Sequence, residues 1–392
     1  MNVAKSKPIT SDVVRDGLLL RGLDGANPLG FLAALGTLQT ISTVNPLLPI
    51  MMSWSDDSFG CRPSIHGFVG DVASLSDQIA RHLNCPFHAD ESADNERMST
   101  LKDFEAARRT VREAEDKLKK TGLKGDDRKA EEKRVLEPLR EEMADFRNKW
   151  LGALEKCVPS LELSLGKHLN ATCGELRDAG LQALSEASVM KREIVDLLAS
   201  FGSDACRARK GDGMQSTAFC FISGSGHQYF LDTVLQLTAK LDAKRFELAL
   251  SQNAEALDER LSMRWDPLED RRYALMWNDP TSSDNVAKTN WALNLLAYRG
   301  LVVIPSVPTA KGLRTTGWTS QREPRWTWPI WRGCASASMV RSLLAHPLLA
   351  AEPLDLKQIN DLGIRAVYRS TRIQVGNPPL HKLNFTPAQR VG

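Results

Sequence analysis

The chain has 392 residues, with 51 lysines and arginines against 48 acidic residues and a formal net charge of +3. This length is typical of two or three domains, each with its own core. No apolar stretch reaches the roughly 20 residues of a membrane-spanning helix, and residues 1–10 lack the apolar segment of a secretion signal, so we expect a cytoplasmic protein.

The seven cysteines are odd in number and widely spread, and no Cys-x-x-Cys pair occurs. That pattern favours free thiols over a disulfide framework. The nearest approach to a metal site is His82, Cys85 and His88, which falls short of the four ligands of structural zinc. We therefore predict neither a bound metal nor another cofactor.

The first predicted unit is a short apolar strand from Leu18, a loop at residues 21–26, and a helix that starts at Asn27 and Pro28. An Asn side chain caps a free helical amide, and Pro has no amide to leave unpaired. The helix body is apolar on nearly all sides, which predicts burial between layers. In an alternative interpretation, Arg21 and the free amides at this helix start bind a phosphate or carboxylate.

Residues 101–150 have mixed charge and two apolar seams, separated by a Gly-containing break at residues 121–125. This pattern predicts an antiparallel helical hairpin that projects into solvent and contacts a partner. Opposite charges one turn apart, such as Glu115 and Lys119, are typical of a solvated helix face. Pro138 is expected to bend or interrupt the second helix.

Further helices are predicted at residues 176–201 and 229–261, with a strand-like segment at residues 218–222. The loop that follows the first of these carries three cations, Arg207, Arg209 and Lys210. These cations either contact a phosphate backbone or face solvent in a plain connector. The Gly/Ser-rich loop before the second helix either forms an ordinary turn or lets Gln228 reach a base edge.

Residues 264–280 combine acids, arginines and aromatic residues around two turn signals. In one interpretation the acids bind a divalent metal for phosphodiester cleavage, with Asp266, Glu269, Asp270 and Asp279 as ligands and the first three at the centre of the site. In the other, Arg271 and Arg272 neutralise these acids in an ion-pair network that holds a turn. A helix at residues 288–298, ended by Gly300, and a buried strand at residues 301–304 are predicted to follow.

Residues 286–392 contain fourteen lysines and arginines against four acids, and five of the nine tryptophans. Ten of the fourteen cations are arginines, whose planar fork pairs with phosphate and stacks on rings. This composition predicts a nucleic-acid surface. An Arg-rich face that docks an acidic partner protein is the alternative.

Within this basic segment, Trp326 and Trp328 alternate as in a strand and are predicted to face the core, with Arg325 and Thr327 on the opposite face. Trp318 lies in a Gly/Thr/Ser-rich loop and is the better candidate to stack on a base or wedge a base step. A basic strand at residues 364–375 is expected to lie along a phosphate backbone or guide RNA.

Two stretches resemble a known family: residues 21–36, which read RGLDGANPLGFLAALG, and residues 265–273, which read WDPLEDRRY. They are similar to the large subunit of type I CRISPR interference (Cascade) complexes, most of all to the type I-G (formerly I-U) lineage. The resemblance implies a non-catalytic subunit of an RNA-guided complex that recognises the protospacer-adjacent motif and helps to open the duplex.

The implied partners are double-stranded target DNA, the guide crRNA, the backbone and crRNA-processing subunits of the complex, and a separate helicase-nuclease. In such systems the guide pairs with most of the target, so few protein side chains need to read bases. Loop context and chemistry select five candidates for base reading: Asn27, Gln228, Lys311, Arg314 and Arg325.

The sequence as a whole predicts a mixed α+β fold with a projecting antiparallel helical hairpin and a helix-rich remainder. Four segments are expected: a strand and helix domain (1–100), the charged hairpin (101–155), a helical region with a Gly/Ser loop (156–263), and a basic Trp-rich domain (264–392). The predicted nucleic-acid contacts are Arg21, Asn27, Arg207, Arg209, Lys210, Gln228, Arg271, Arg272, Lys311, Arg314, Trp318, Arg322, Arg325, Arg365, Arg369 and Arg372. A metal-dependent nuclease and a protein-binding scaffold remain as alternative functions.

Overall fold

The computed structural model describes residues 17–58, 60–85, 91–122, 125–157, 165–166, 168–186, 192–209, 211–222, 229–252, 258–269, 288–319, 323–375 and 382–392. Helices and antiparallel sheets are combined in one chain, so the predicted mixed α+β class is confirmed. Within the described ranges, no helix has both the length and the apolar character needed to cross a bilayer.

The helices differ widely in length. They are α1 (Pro28–Val44), α2 (Val72–His82), α3 (Glu91–Lys120), α4 (Gly125–Cys157), α5 (Cys173–Glu186), α6 (Arg192–Phe201), α7 (Phe230–Lys240), α8 (Ala243–Ser251), α9 (Trp291–Gly300), α10 (Ala337–Leu344) and α11 (Leu356–Asp361). Two 3-10 helices span Leu301–Val303 and Pro347–Ala350.

The strands form small antiparallel sheets. They are β1 (Leu18–Leu19), β2 (Met51–Asp57), β3 (Gly60–His66), β4 (Asp258–Glu259), β5 (Lys288–Thr289), β6 (Ser306–Thr309), β7 (Gly312–Thr315), β8 (Arg325–Trp331), β9 (Ile364–Val375), β10 (Lys382–Phe385) and β11 (Gln389–Arg390). One sheet has the order β1-β3-β2, and in another β9 pairs with β8, β10 and β11. Strands β4 and β5 form one two-stranded sheet, and β6 and β7 form another.

Helix α1 lies at the centre of the fold and starts as predicted. The Asn27 side chain accepts hydrogen bonds from the amides of Leu29 (2.8 Å) and Gly30 (3.3 Å), with Pro28 at the first helical position. The helix crosses α9 so closely that a Cβ atom on Gly36 would be 1.7 Å from the Leu296 carbonyl oxygen. The small residues of α1 therefore serve helix packing.

Aromatic side chains from both larger sheets surround α1. The Phe31 ring lies 5.7 Å from Trp54 of β2, and 5.9 Å from both Trp326 and Trp328 of β8. The latter two tryptophans stack on each other at 4.6 Å and are fully buried. The prediction that they face the core is confirmed.

Helices α3 and α4 form the predicted antiparallel hairpin. At its base, Phe104 stacks on Trp150 at 6.0 Å, and Arg108 donates a hydrogen bond of 2.7 Å to the Tyr229 hydroxyl. Further out, the buried side chains of the hairpin are not part of the main apolar cluster. Helix α4 continues through Pro138, so of the two expected effects, a bend or an interruption, the interruption is wrong.

Four predicted elements differ from the structure. The helix predicted from residue 288 begins at Trp291, because the two residues at 288–289 pair with β4 as β5. Residues 301–303 form a 3-10 turn and residues 218–222 a turn and coil, because neither apolar run finds a partner strand. The helix predicted over residues 229–261 divides into α7 and α8, since the Asp242 side chain accepts a hydrogen bond from the Arg245 amide (2.9 Å) and caps a new helix. Its predicted end is also wrong, as α8 stops at Ser251.

The helix predicted over residues 176–201 is described as α5 and α6, with residues 187–191 outside the described ranges. One large apolar cluster contains side chains from all four predicted segments, from Leu20 to Phe385. A smaller cluster centred on Leu349, Ile359 and Val367 lies where α11 packs on β9. The division into four domains stays a prediction.

Candidate nucleic-acid interface

The two stretches that carry the family resemblance meet in space. Asn27 Nδ2 donates a hydrogen bond of 3.2 Å to Asp266 Oδ1, which also accepts from the Leu268 amide at 3.0 Å. Asn27 therefore caps α1 with its oxygen and holds Asp266 with its nitrogen. A side chain engaged at both ends is not available to read a base, so its predicted role is corrected to a structural one.

The loop before α1 is held by contacts to α8 and to β3. The Gly22 amide donates to the Leu250 carbonyl (3.0 Å), and a Cβ atom on Gly22 would be 1.8 Å from the Ala249 carbonyl oxygen. Asp24 Oδ1 accepts from the amides of Ala26 (3.0 Å) and Cys61 (3.2 Å). Arg21 is exposed beside these contacts, and it stays a predicted phosphate ligand.

The two described acids of the second stretch, Asp266 and Glu269, accept hydrogen bonds from neutral donors. Glu269 is 1 % exposed and accepts hydrogen bonds from the hydroxyls of Ser262 (2.5 Å) and Thr289 (2.6 Å). Burial, together with the nearby Asp266 carboxylate, raises the pKa of Glu269 to about 7. Because metal ligands must be deprotonated, Mg²⁺ could bind Glu269 only by displacing this proton.

Among the described residues, no three His, Cys, Asp or Glu side chains are grouped closely enough to hold a metal ion. Two of the proposed ligands, Asp270 and Asp279, lie outside those residues. So do five predicted contacts: Lys210, Gln228, Arg271, Arg272 and Arg322. The described part of the acidic stretch thus forms a hydrogen-bonded junction. Where one of the two interpretations placed a metal, the two described acids are engaged by hydroxyl and amide groups.

The structure brings two groups of predicted contacts together on a pair of hairpins. In the first hairpin, residues 206–215, the Ala208 amide donates to the Gly213 carbonyl (2.8 Å) and the Gln215 amide to the Cys206 carbonyl (2.8 Å). The second hairpin is β6–β7, residues 306–315. We call these two segments the paired hairpins.

A side chain that the sequence did not single out joins the paired hairpins. Gln215 Oε1 accepts a hydrogen bond of 3.0 Å from the Leu313 amide, and Thr315 Oγ1 accepts one of 3.0 Å from the Ala218 amide. The first contact joins residues 215 and 313, and the second joins residues 218 and 315. The segment after the first turn therefore runs in the same direction as the segment after the second turn. The turns of the two hairpins therefore lie at the same end.

The paired hairpins present cations to solvent. Arg207 and Arg209 are exposed on the first hairpin, and Lys311 and Arg314 on the second. None of the four forms an ion pair with an acid in the part of the chain that the structure describes, although Asp212 lies in the first turn. The paired hairpins are thus a basic surface on which four predicted contacts come together.

The side chain of Trp318 is not where the sequence predicted. It is 6 % exposed, with Phe385 stacked on it at 5.6 Å and the Arg372 guanidinium 5.4 Å from its ring. The prediction that Trp318 stacks on a base is wrong for this conformation, because the ring is covered by protein. A Gly/Thr/Ser-rich loop indicated exposure, but the tertiary fold turns the ring inward.

Strand β9 is confirmed, and each of its three arginines has a partner within the protein. Arg365 donates to Asp56 (2.7 Å), and Arg372 donates to the Ala218 carbonyl (3.1 Å), with its pKa lowered by burial. Arg369 donates to Glu352 (2.9 Å), which also accepts from Arg325 (3.0 Å). A nucleic acid would have to replace these partners to reach the arginines.

Comparison of the chain with protein-family models, with curated proteins and with solved structures gives no match.

Proposed function

We propose that this protein is a non-catalytic, cytoplasmic nucleic-acid-binding subunit of an RNA-guided CRISPR surveillance complex. In this role it recognises the protospacer-adjacent motif beside the target, aids opening of the duplex and recruits a separate helicase-nuclease. Its partners are the target DNA, the crRNA and the other subunits of the complex. The family assignment rests on the resemblance of residues 21–36 and 265–273.

The observation that carries the nucleic-acid part of the proposal is the basic surface of the paired hairpins. Exposed cations with no acid partner keep their full charge for a ligand, and a row of them attracts a phosphate backbone. The hairpins carry five cations, including Lys210, against one acid, Asp212. An acidic partner protein would meet the same surface, so the experiment must separate the two ligands.

The test is binding of the purified chain to a duplex over a salt series, followed by fluorescence anisotropy. A variant with Arg207, Arg209, Lys311 and Arg314 replaced by glutamine is expected to weaken binding and to flatten the salt dependence. Because each phosphate contact contributes about 0.9 to the slope of log K against log salt, four lost contacts reduce that slope by about 3 to 4.

The matched control removes four cations from the exposed flank of α4. It replaces Arg128, Lys129, Lys133 and Arg134 by glutamine and is expected to change the slope much less. Equal changes in the two variants would show that only net charge matters. No duplex binding by the wild-type chain at low salt, either alone or assembled with guide RNA, would overturn the nucleic-acid proposal.

The CRISPR part of the proposal needs the assembled complex. With co-expressed subunits and guide RNA, binding should depend on the motif beside the target, and added Mg²⁺ should not produce cleavage by this subunit. Motif-independent binding in the assembled complex would contradict the recognition role. Cleavage lost on Asp266→Ala would favour the metal-nuclease alternative, and co-purification with an acidic protein without DNA affinity would favour the scaffold.

A further inference from the structure

Two arginines on the face of the β8–β9 sheet opposite the buried tryptophans share a single carboxylate oxygen. Glu352 Oε1 accepts from Arg325 at 3.0 Å and from Arg369 at 2.9 Å. Arg369 Nε also donates to Thr327 Oγ1 at 3.1 Å, which fixes the direction of its guanidinium group. The strand register pairs Thr327 with Arg369 and Arg325 with Thr371, so these side chains lie on one face, opposite the buried tryptophans.

The arrangement matches what arginines offer to a phosphate. A guanidinium group presents several fixed donors and binds oxyanions through two parallel hydrogen bonds. Two such groups that converge on one oxygen form an oxyanion site, and the Thr327 hydroxyl, in a residue that is 1 % exposed, orients Arg369 within it. In this structure a carboxylate of the same chain fills it.

The carboxylate comes from a segment outside the sheet. Glu352 lies between the 3-10 helix Pro347–Ala350 and α11, and its side chain is 32 % exposed. The arginine side chains are less exposed, at 28 % for Arg325 and 13 % for Arg369. An anion from solvent would therefore reach the two guanidinium groups by taking the place of Glu352.

The other basic positions of β9 lack this arrangement. Arg365 pairs with Asp56, and among the described residues no second arginine contacts that carboxylate. Arg372 donates to a backbone carbonyl. Glu323 approaches Arg325 only, at 3.8 Å, and its side chain is 71 % exposed. Among the described acids near these strands, Glu352 is the one that two arginines contact at once.

We propose that Arg325 and Arg369, the latter oriented by Thr327, form a binding site for one phosphodiester group of a bound nucleic acid, and that Glu352 occupies this site in the free protein. Binding replaces the Glu352 carboxylate by the phosphate, so the site is masked until a ligand with a correctly placed phosphate arrives. This proposal rests on the proposed function, because it assigns a second nucleic-acid contact beyond the paired hairpins.

The first experiment compares Glu352→Gln with Glu323→Gln in duplex binding over a salt series. Both variants remove one negative charge near Arg325, but only the first releases both arginines. We expect Glu352→Gln to tighten binding about three- to tenfold, the range of the net contribution of one ordinary hydrogen bond. The salt slope should become steeper by about 1, as for one added phosphate contact. An equal gain in Glu323→Gln would overturn the proposal.

A double-mutant cycle measures the coupling between two substitutions, which a change of net charge alone would not produce. Arg369→Ala should cost little affinity in the wild-type background, where Glu352 occupies the arginine, and more in the Glu352→Gln background. Additive effects of the two substitutions would contradict a shared site. Thermal unfolding of each variant shows whether the fold is kept, and Glu352→Ala replaces Glu352→Gln if the glutamine variant is unstable.

A second probe decides the matter even if the chain binds no duplex. Inorganic pyrophosphate, titrated into Glu352→Gln and Glu323→Gln, should raise the unfolding temperature of the first variant more than that of the second. If pyrophosphate stabilises Glu352→Gln while duplex DNA does not bind, the oxyanion site stands and the proposed function fails. If duplex DNA binds the wild type but neither ligand distinguishes the two variants, the site proposal fails alone.

Discussion

Replacement of Glu269 by glutamine should make the protein more stable at neutral and alkaline pH. The carboxyl is almost completely buried and sits between the hydroxyls of Ser262 and Thr289. Glutamine has nearly the same shape and stays neutral. It can donate to one hydroxyl oxygen and accept from the other, as the protonated acid does.

The size of the effect follows from the pKa of this carboxyl. Burial is the main cause that raises it from 4.5 to about 7, and the Asp266 carboxylate adds to the rise. The folded state thus holds the proton more tightly than the unfolded state. The stabilising contribution is complete below pH 4.5 and is lost as the pH rises to about 7. The loss amounts to about 3 kcal/mol, taking 1.36 kcal/mol for each unit of pKa.

The assay is urea unfolding of wild type and Glu269→Gln at pH 5, 6, 7 and 8. The free energy of unfolding of the variant relative to wild type should rise by about 2.5 kcal/mol between pH 5 and pH 8, because a small part of the contribution is already lost at pH 5. Glu259→Gln, which changes an exposed acid on β4, is the control and should show no such trend. A difference that does not vary with pH would refute the reasoning, because it would mean that Glu269 titrates alike in both states.

Three further predictions concern packing. Gly36→Ala should cost at least about 3 kcal/mol of unfolding free energy, because the added methyl meets a carbonyl of α9. Gly180→Ala, at an open helical position, is the control and should stabilise the protein by up to about 1 kcal/mol. Equal effects of the two substitutions would contradict the close crossing of α1 and α9. Asn27→Ala should cost about 1 to 2 kcal/mol, and a cycle with Asp266→Ala should be non-additive if the two side chains are coupled as observed. Trp150→Ala should cost about 3 to 5 kcal/mol and speed proteolysis of the α3–α4 hairpin; an unchanged cleavage rate would show that this ring does not anchor it.

Local signals in the chain were sufficient for several elements. Asn27 and Pro28 start α1 because capping is a contact between near neighbours in sequence. The alternation of Trp326 and Trp328 predicted a strand with a core face, since side chains alternate along any strand. The charged hairpin followed from its two apolar seams, which have the spacing of a helix.

Apolar runs without alternation misled the prediction. Residues 218–222 and 301–304 are apolar enough for buried strands, but a strand exists only where another strand supplies hydrogen bonds, and that partner is a matter of tertiary structure. The predicted exposure of Trp318 was wrong for the same kind of reason. The composition of its loop indicated a solvent-exposed side chain, but Phe385 and Arg372, which lie 54 or more positions later in the chain, cover the ring.

The sequence by itself therefore determined the fold class, the start of α1, the hairpin and the basic character of the last segment. Only the tertiary structure decided which cations stay exposed. Gln215 aligns the paired hairpins through a contact to Leu313, and Glu352 joins two arginines from different strands. Hydrogen bonds and ion pairs between residues far apart in the chain leave no periodic pattern in it, because they depend on how the completed elements pack.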